Sequence, residues 1–532
     1  MFFVSRTLFA ILLLFLSCAF VFLHFRGALS EVVTSTRHYL KVANHQVSAA
    51  AEDDKYNVII KKNTALADIP ALPDISRYTV DNVALGVPPF KPGKVVIADM
   101  TGLPAFREFI NNDGRVQRLR LSQLTVIPRA IVIQEGHYDF TRLYEAIQAQ
   151  TTENIIEKKG ARHLVRLPIL ISKNASLTIS NRDSDEILLS QEQNAFIVNA
   201  GDLFILRAKV TGWSEKDAQP AFFKSKLTYR PFITSWSGAR LYIAGSAISN
   251  MGYNGPKSYG VSFSRCPRCL LAQPNLARPT GAVIGNVFSD MYFGFYSYEA
   301  DDVAIIGNTY VNSIVYAIDP HDRSRRLIIA GNDTYGSKQK HGIILSREVS
   351  DSWIFNNHSH HNNGSGIMLD RKSENNVIAN NISAYNRGDG LTFFESPHNT
   401  VYGNKIYRNM LSGIRIRNSW SVRLLNDEIA DNAGVPVVIY TADLRYQPYE
   451  YRDLMSDPFT IRADVTVSGA VIKRLTGKPA FKIDGIDSLA LSDIHLLSGG
   501  SVFSDLLFLD EAGIRKNIDT PLKQIVVSKK AS

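Results

Sequence analysis

The chain has 532 residues, with 59 Lys and Arg against 50 Asp and Glu and a formal net charge of +9. That length would fill two to four ordinary domains, but a solenoid grows without a single globular core and can reach it as one body. The basic balance points to a polyanionic partner, and nucleic acid is disfavoured because the aromatics are not interleaved with Lys and Arg as in base-stacking platforms.

Residues 1–30 place Arg6 before an apolar run from Leu8 to Leu23 and end in Ala28-Leu29-Ser30, small residues where a signal peptidase cuts. This is the pattern of an export signal, the run being slightly short for a membrane span, with an uncleaved anchor as the alternative. Cleavage removes Arg6 and Arg26 and no acid, so the exported chain stays basic and is expected to hold an acidic polysaccharide, without stable membrane insertion. Residues 31–164 show no repeat and read as an N-terminal cap. Within them Ala130–Gly136 predicts a strand and turn, and Thr141–Ile147 a short helix that would cover the first strand edge. Irregular strands follow at Leu167–Ile171, Leu177–Ile179, Ala195–Val198, Leu203–Val210, Pro231–Trp236 and Leu241–Ser249. Cys266 and Cys269 share an inserted loop, where a local disulfide is the simplest reading, ahead of a redox pair or half of a zinc site.

From there a repeat is visible. Small residues at Gly294, Ala317, Gly342, Gly366, Gly390, Gly413 and Pro436 are separated by 23, 25, 24, 24, 23 and 23 residues. The position after each anchor holds Phe295, Ile318, Ile343, Ile367, Leu391, Ile414 or Val437, and two further on stand Leu345, Leu369, Phe393, Ile416 and Ile439. Strand side chains alternate, so these positions face inward. A second series, Asn286, Asn308, Asn332, Asn357, Asn381 and Asn404 with Asp427 closing it, and a third, Asn362, Asn386, Asn409 and Asn432, keep the same period. Asn tolerates left-handed backbone, so stacked Asn columns mark corners. The sequons at Asn332 and Asn381 fall in these columns and need no glycosylation to explain them. Short strands, Asn corners and this period predict an all-β, right-handed parallel β-helix over 165–445. Residues 446–532 are expected to add strands, such as Thr460–Ala470 and Ala490–Leu497, in a C-terminal cap that folds back along the rod.

One coil departs from the repeat. Asp319-Pro320-His321-Asp322 puts Pro320 at an inward position where later coils place Leu, Phe or Ile, and proline cannot donate to the ladder. Packing does not explain this. Asp319 and His321 are expected at the surface, where two flanking carboxylates can hold an imidazole in one tautomer, as general-base catalysis requires. A surface His tied to a carboxylate is the plainer alternative. Arg347, one coil on, reaches the same wall only if the strand has ended in a turn before it. The outward columns also carry Asp370, Arg371, Arg415 and Arg417, which with Tyr316 form a candidate set for binding a carboxylated polymer, ordinary surface charge being the alternative. His358, His360 and His361 bring metal to mind, but they fall on an expected corner segment without helical or hairpin ligand spacing.

A base and an Arg beside a uronate polymer fit removal of the proton next to the carboxylate, with a bidentate guanidinium quenching the developing charge. Reprotonation from the opposite face makes an epimerase; expulsion of the 4-O substituent makes a lyase. A glycoside hydrolase needs two facing carboxylates. A non-catalytic binding rod leaves Pro320 unexplained.

Tyr316-Ala-Ile-Asp-Pro-His-Asp322, with Arg347 downstream, the export signal, the Asn ladders and the overall length, resembles the periplasmic mannuronan C5-epimerases of alginate-producing Gram-negative bacteria. The resemblance implies a periplasmic enzyme converting mannuronate to guluronate within alginate. It implies His321 as the C5 base, Arg347 as neutraliser of the substrate carboxylate, water as the new proton's source, and Asp319 and Asp322 as positioning groups. It implies no metal or cofactor, and a place in a polymer export complex.

Overall fold

The computed structural model describes residues 56–63, 68–110, 113–267, 275–446, 452–504 and 510–530. The export segment, Cys18 and Cys269 lie outside them. Among the described residues no helix is long and apolar enough to cross a membrane.

The expected parallel β-helix is present, with three walls per coil. The first wall stacks Phe293–Tyr298, Tyr316–His321, Ile343–Ser346, Ile367–Asp370, Leu391–Phe394, Ile414–Arg417 and Val437–Tyr440 in parallel register. The second wall includes Ile328–Ala330 and Trp353–Phe355, and the third Asp333–Tyr335 and His358–His360. Parallel stacking already begins where Arg129–Asp139 pairs with Ile169–Ser180, so part of the presumed cap belongs to the first coil. At the other end Asp464–Ser468, Phe481–Asp484 and Ser488–Ser492 continue the rod instead of folding back along it.

The predicted inward positions are solvent-free, from Phe295 and Ile318 through Leu345, Leu369 and Phe393 to Ile439, and they join one continuous core. Fully burying each such side chain contributes about 1.5–3 kcal/mol before entropy is counted. The Asn columns work differently from the sequence reading. In both series the left-handed residue is the one before the ladder Asn: Asn356 (φ 54), His361 (φ 53), Asn380 (φ 52) and Tyr385 (φ 55) are examples. The ladder Asn instead uses its buried amide, Asn357 Nδ2 donating to Asn381 Oδ1 at 2.9 Å and to Ile329 O at 2.9 Å. Each amide thereby satisfies a buried backbone carbonyl and ties neighbouring coils.

The ends are closed against edge pairing. Lys91–Asp99 lies antiparallel on the first long strand, and the helix Phe140–Gln148 buries Phe140, Leu143 and Ile147 in the core. Lys523–Lys529 runs antiparallel to Ser488–Ser492, and Tyr56–Lys62 pairs on its other side. Residues 68–87 lie along the second wall, with Leu72, Ile75, Val80 and Val83 packed on Ala282, Ala330, Phe355 and their neighbours. Cys266 is disulfide-bonded.

Candidate active site

Pro320 has the local effect expected of it. The ladder between Tyr316–His321 and Ile343–Ser346 pairs Ile318 with Ile343 and His321 with Ser346, and skips Asp319 and Pro320. The strand then ends at His321, and Asp322 (φ 41) and Arg323 (φ 58) are both left-handed. This corner turns the Asp322 carboxylate back onto its own neighbour, so that His321 Nδ1 and Asp322 Oδ2 lie 2.5 Å apart. Burial would raise the Asp322 carboxyl, but the hydrogen bond and charge of His321, with Lys257 and Arg347, hold it below the ordinary carboxylate range. An ionised Asp322 accepts from Nδ1–H, which leaves the Nε2 lone pair for a substrate proton. The imidazole is 24% exposed, on the outward column, and tilts against the Tyr296 ring at 5.9 Å.

Arg347 stands in the turn expected of it. Its strand ends at Ser346, its φ is 61, and its side chain is 48% exposed with Nη1 3.9 Å from Asp322 Oδ1. The two corners are tied by Arg323 N donating to Arg347 O at 2.8 Å. His321 and Arg347 therefore sit on consecutive rungs of one wall, with the guanidinium only loosely held and open to solvent.

Asp319 corrects an expectation. It occupies the outward column, opposite Tyr296, yet is 2% exposed, not a surface group. Oδ1 has no hydrogen-bond partner among the described residues, and burial pushes the carboxyl up to about 7 against the pull of His321. Tyr259, Tyr296 and Tyr316 share its surroundings, and its charge helps raise each phenol. Tyr316 stacks on His341 at 5.9 Å and meets Phe293 edge-on at 5.1 Å.

The remaining candidates divide. Asp370, two rungs from His321, is pushed up to about 6 by burial and lies 3.4 Å from Arg371 Nε, while Arg371 Nη1 is 3.5 Å from Asp457 Oδ2. These two extend the wall. Arg415 and Arg417 do not present free cations as expected. Arg415 Nε donates to Asp389 Oδ2 at 2.8 Å; the Arg417 side chain is 9% exposed, donates to Glu395 Oε1 at 2.8 Å and lies 3.9 Å over the Phe394 ring. Both stand four rungs away, about 19 Å along the rod at about 4.8 Å per rung. The His358–His360 segment is also not a corner: it is a strand of the third wall.

Sequence reasoning missed Lys257. It precedes Gly260 in an irregular segment with no repeat register, but its Nζ lies 3.1 Å from the Tyr298 ring centroid and 3.4 Å from Tyr296 Oη. Burial pulls it down to about 7, opposed by Asp322, Glu108 and Glu299. Its only sequence signal is the pair of outward tyrosines it covers.

The family model for the right-handed β-helix region matches residues 237–447. A mannuronan C5-epimerase of Pseudomonas putida is 40% identical over 431 residues, covering 81% of this chain and 81% of its own. One from Pseudomonas aeruginosa is 41% identical over 431 residues, covering 81% and 78%. The crystal structure of a periplasmic alginate epimerase, AlgG, aligns over 81% of this chain and 100% of its own with a TM-score of 0.74 at 35% identity.

Proposed function

The chain belongs to the mannuronan C5-epimerase family, and from that premise we propose how its first wall performs the reaction. It is a periplasmic isomerase that inverts C5 of mannuronate residues within alginate. His321 Nε2 removes the C5 proton, Asp322 holding Nδ1–H and stabilising the imidazolium that forms. Charge moves onto the substrate carboxylate as the proton leaves. Arg347, exposed and one rung away, turns from Asp322 to neutralise it. Water delivers the new proton to the opposite face. Asp319 lies on the rung of His321 and sets its surroundings without facing solvent, while Tyr316, Asp370 and Arg371 extend the polymer-binding wall.

The observation that carries this reading is the 2.5 Å contact of His321 Nδ1 with Asp322, whose other oxygen lies 3.9 Å from Arg347. His321→Ala tests it: exchange of the C5 proton with solvent in polymannuronate should fall by about 10²–10⁴, the usual worth of a general base, while polymer binding survives. A variant that still exchanges removes His321 from the role of base. The resemblance to export-linked epimerases supports a place beside proteins that export and modify alginate. Co-purification of those proteins on the tagged chain from an alginate-secreting cell tests that placement.

A further inference from the structure

A second group of titratable side chains sits on the third wall, outside the epimerase site. Asp333–Tyr335 and His358–His360 run parallel, Asp333 opposite His358 and Tyr335 opposite His360. Alternation turns Thr334 and Ser359 inward, where their hydroxyls bond at 3.0 Å, and leaves Asp333, His358 and His360 outward on one face. Asp333 Oδ1 is 3.0 Å from His360 Nε2 and 3.5 Å from His358 Nδ1, and the three donor atoms all lie within 4.8 Å of one another. An ion bound at about 2.1 Å needs ligand edges of about 3.0 Å at right angles and about 3.4 Å at tetrahedral angles. The two edges from Asp333 match that geometry.

The imidazoles are also pre-oriented. The His360 ring is stacked on Tyr335 at 5.0 Å and on His358 at 4.1 Å. Its Nδ1 lies 2.7 Å from His361 Nδ1, and His361 itself stacks on Tyr385 at 5.1 Å. A metal-ligating histidine ordinarily has its second nitrogen held by such an outer partner. When His360 Nδ1 carries the shared hydrogen, Nε2 offers its lone pair beside Asp333.

We propose that Asp333, His358 and His360 bind a divalent transition-metal ion of the zinc, nickel or copper kind, through two imidazoles and one carboxylate, with water completing the coordination. Two nitrogen donors disfavour magnesium and calcium, which take oxygen. Asp333 belongs to the coil that begins with Tyr316–His321, and both histidines to the coil that begins with Ile343–Ser346 and carries Arg347. The ion therefore clamps together the two rungs that present the base and the cation.

The test is Zn2+ titration of the chelator-stripped full chain at neutral pH against a chromogenic competitor. A single tight equivalent is expected, bound with release of protons. It should weaken at least about tenfold in Asp333→Asn and disappear in the His358→Gln/His360→Gln pair, while His321→Ala retains it. Thermal melts without Zn2+ check that the variants fold, and only chains with the intact trio should gain stability when Zn2+ is added. Equal Zn2+ affinity in the parent and the double variant overturns the proposal, as does a parent titration without a stoichiometric equivalent.

Discussion

Asp322→Asn separates the imidazole's orientation from its mere presence. In the parent protein the ionised carboxylate accepts from His321 Nδ1–H at 2.5 Å and lies 3.9 Å from Arg347 Nη1. Imidazolium and carboxylate centres about 4 Å apart attract by about 4 kcal/mol at an effective dielectric of 20. Both side chains are partly open to water, so about 2–3 kcal/mol is a fairer share, or about 30- to 150-fold in rate. An amide adds a second loss, because its NH2 can turn to Nδ1 and leave Nε2 protonated; in the Ser-His-Asp triad the corresponding substitution lowers kcat about 10⁴-fold. We therefore expect Asp322→Asn to lower kcat by about 10²–10⁴, with KM for polymannuronate and the melting temperature little changed. Proton NMR in D2O follows both C5 deuteration and the appearance of guluronate. A rate within about threefold of the parent, or a loss confined to KM, would refute the assignment of Asp322 as the group that fixes His321.

The other predictions probe the cation, the corner and the core. Arg347→Lys keeps a charge but loses the fork, so kcat should fall about 10- to 100-fold, while stability stays within about 0.5 kcal/mol for so exposed a side chain. Asn381→Ala removes the acceptor of Asn357 N, one of the two acceptors of Asn357 Nδ2 and the amide donor to Ile354 O, and should cost about 2–4 kcal/mol, read as a lower urea midpoint at unchanged slope. Asp427, which ends the first Asn series, accepts from Asn404 N and Nδ2 at 2.9 Å, and its other oxygen has no partner among the described residues. Burial raises its carboxyl from 3.8 to about 7, so the folded state favours the protonated form and loses that contribution as pH rises from about 4 through about 7. Asp427→Asn should therefore stabilise the protein at pH 8 by more than at pH 5 in thermal melts, and an equal shift at both values would refute this account.

What was legible in the sequence is what a period can carry. Inward positions, walls and the rung of each outward residue follow from spacing alone, and the turn at Arg347, seen in its φ of 61, follows from strand alternation. What was not legible depends on cover from outside the register. Asp319 has the predicted column and the wrong exposure, because the aromatics around it include Tyr259, which belongs to an irregular connection. Lys257 comes from the same connection. Arg415 and Arg417 stand in the predicted columns but are neutralised by Asp389 and Glu395 on a neighbouring rung, and spacing does not say which charges pair. His358 and His360 read as a corner in the sequence because the third wall is only three residues long on these two rungs, too short to show alternation.

The strand-end corner explains why the proposed site is where it is. Glu299, Asp322, Arg347, Arg371, Glu395 and Asn418 stack in one column, and all are left-handed, with φ between 41 and 61. Glycine is the relaxed residue for such backbone, yet none of these six positions holds one. Each corner is held by a rung-to-rung backbone bond, such as Asp322 N to Ser346 O at 3.0 Å and Arg347 N to Asp370 O at 3.1 Å, which maintains the strained conformation without help from the side chain. The side chains are then free to be chosen for charge. The same turn that ends each strand swings its last side chain away from strict alternation, so acid and guanidinium on successive rungs meet at Asp322 beside His321, at a spacing set by the ladder and not by any mobile loop.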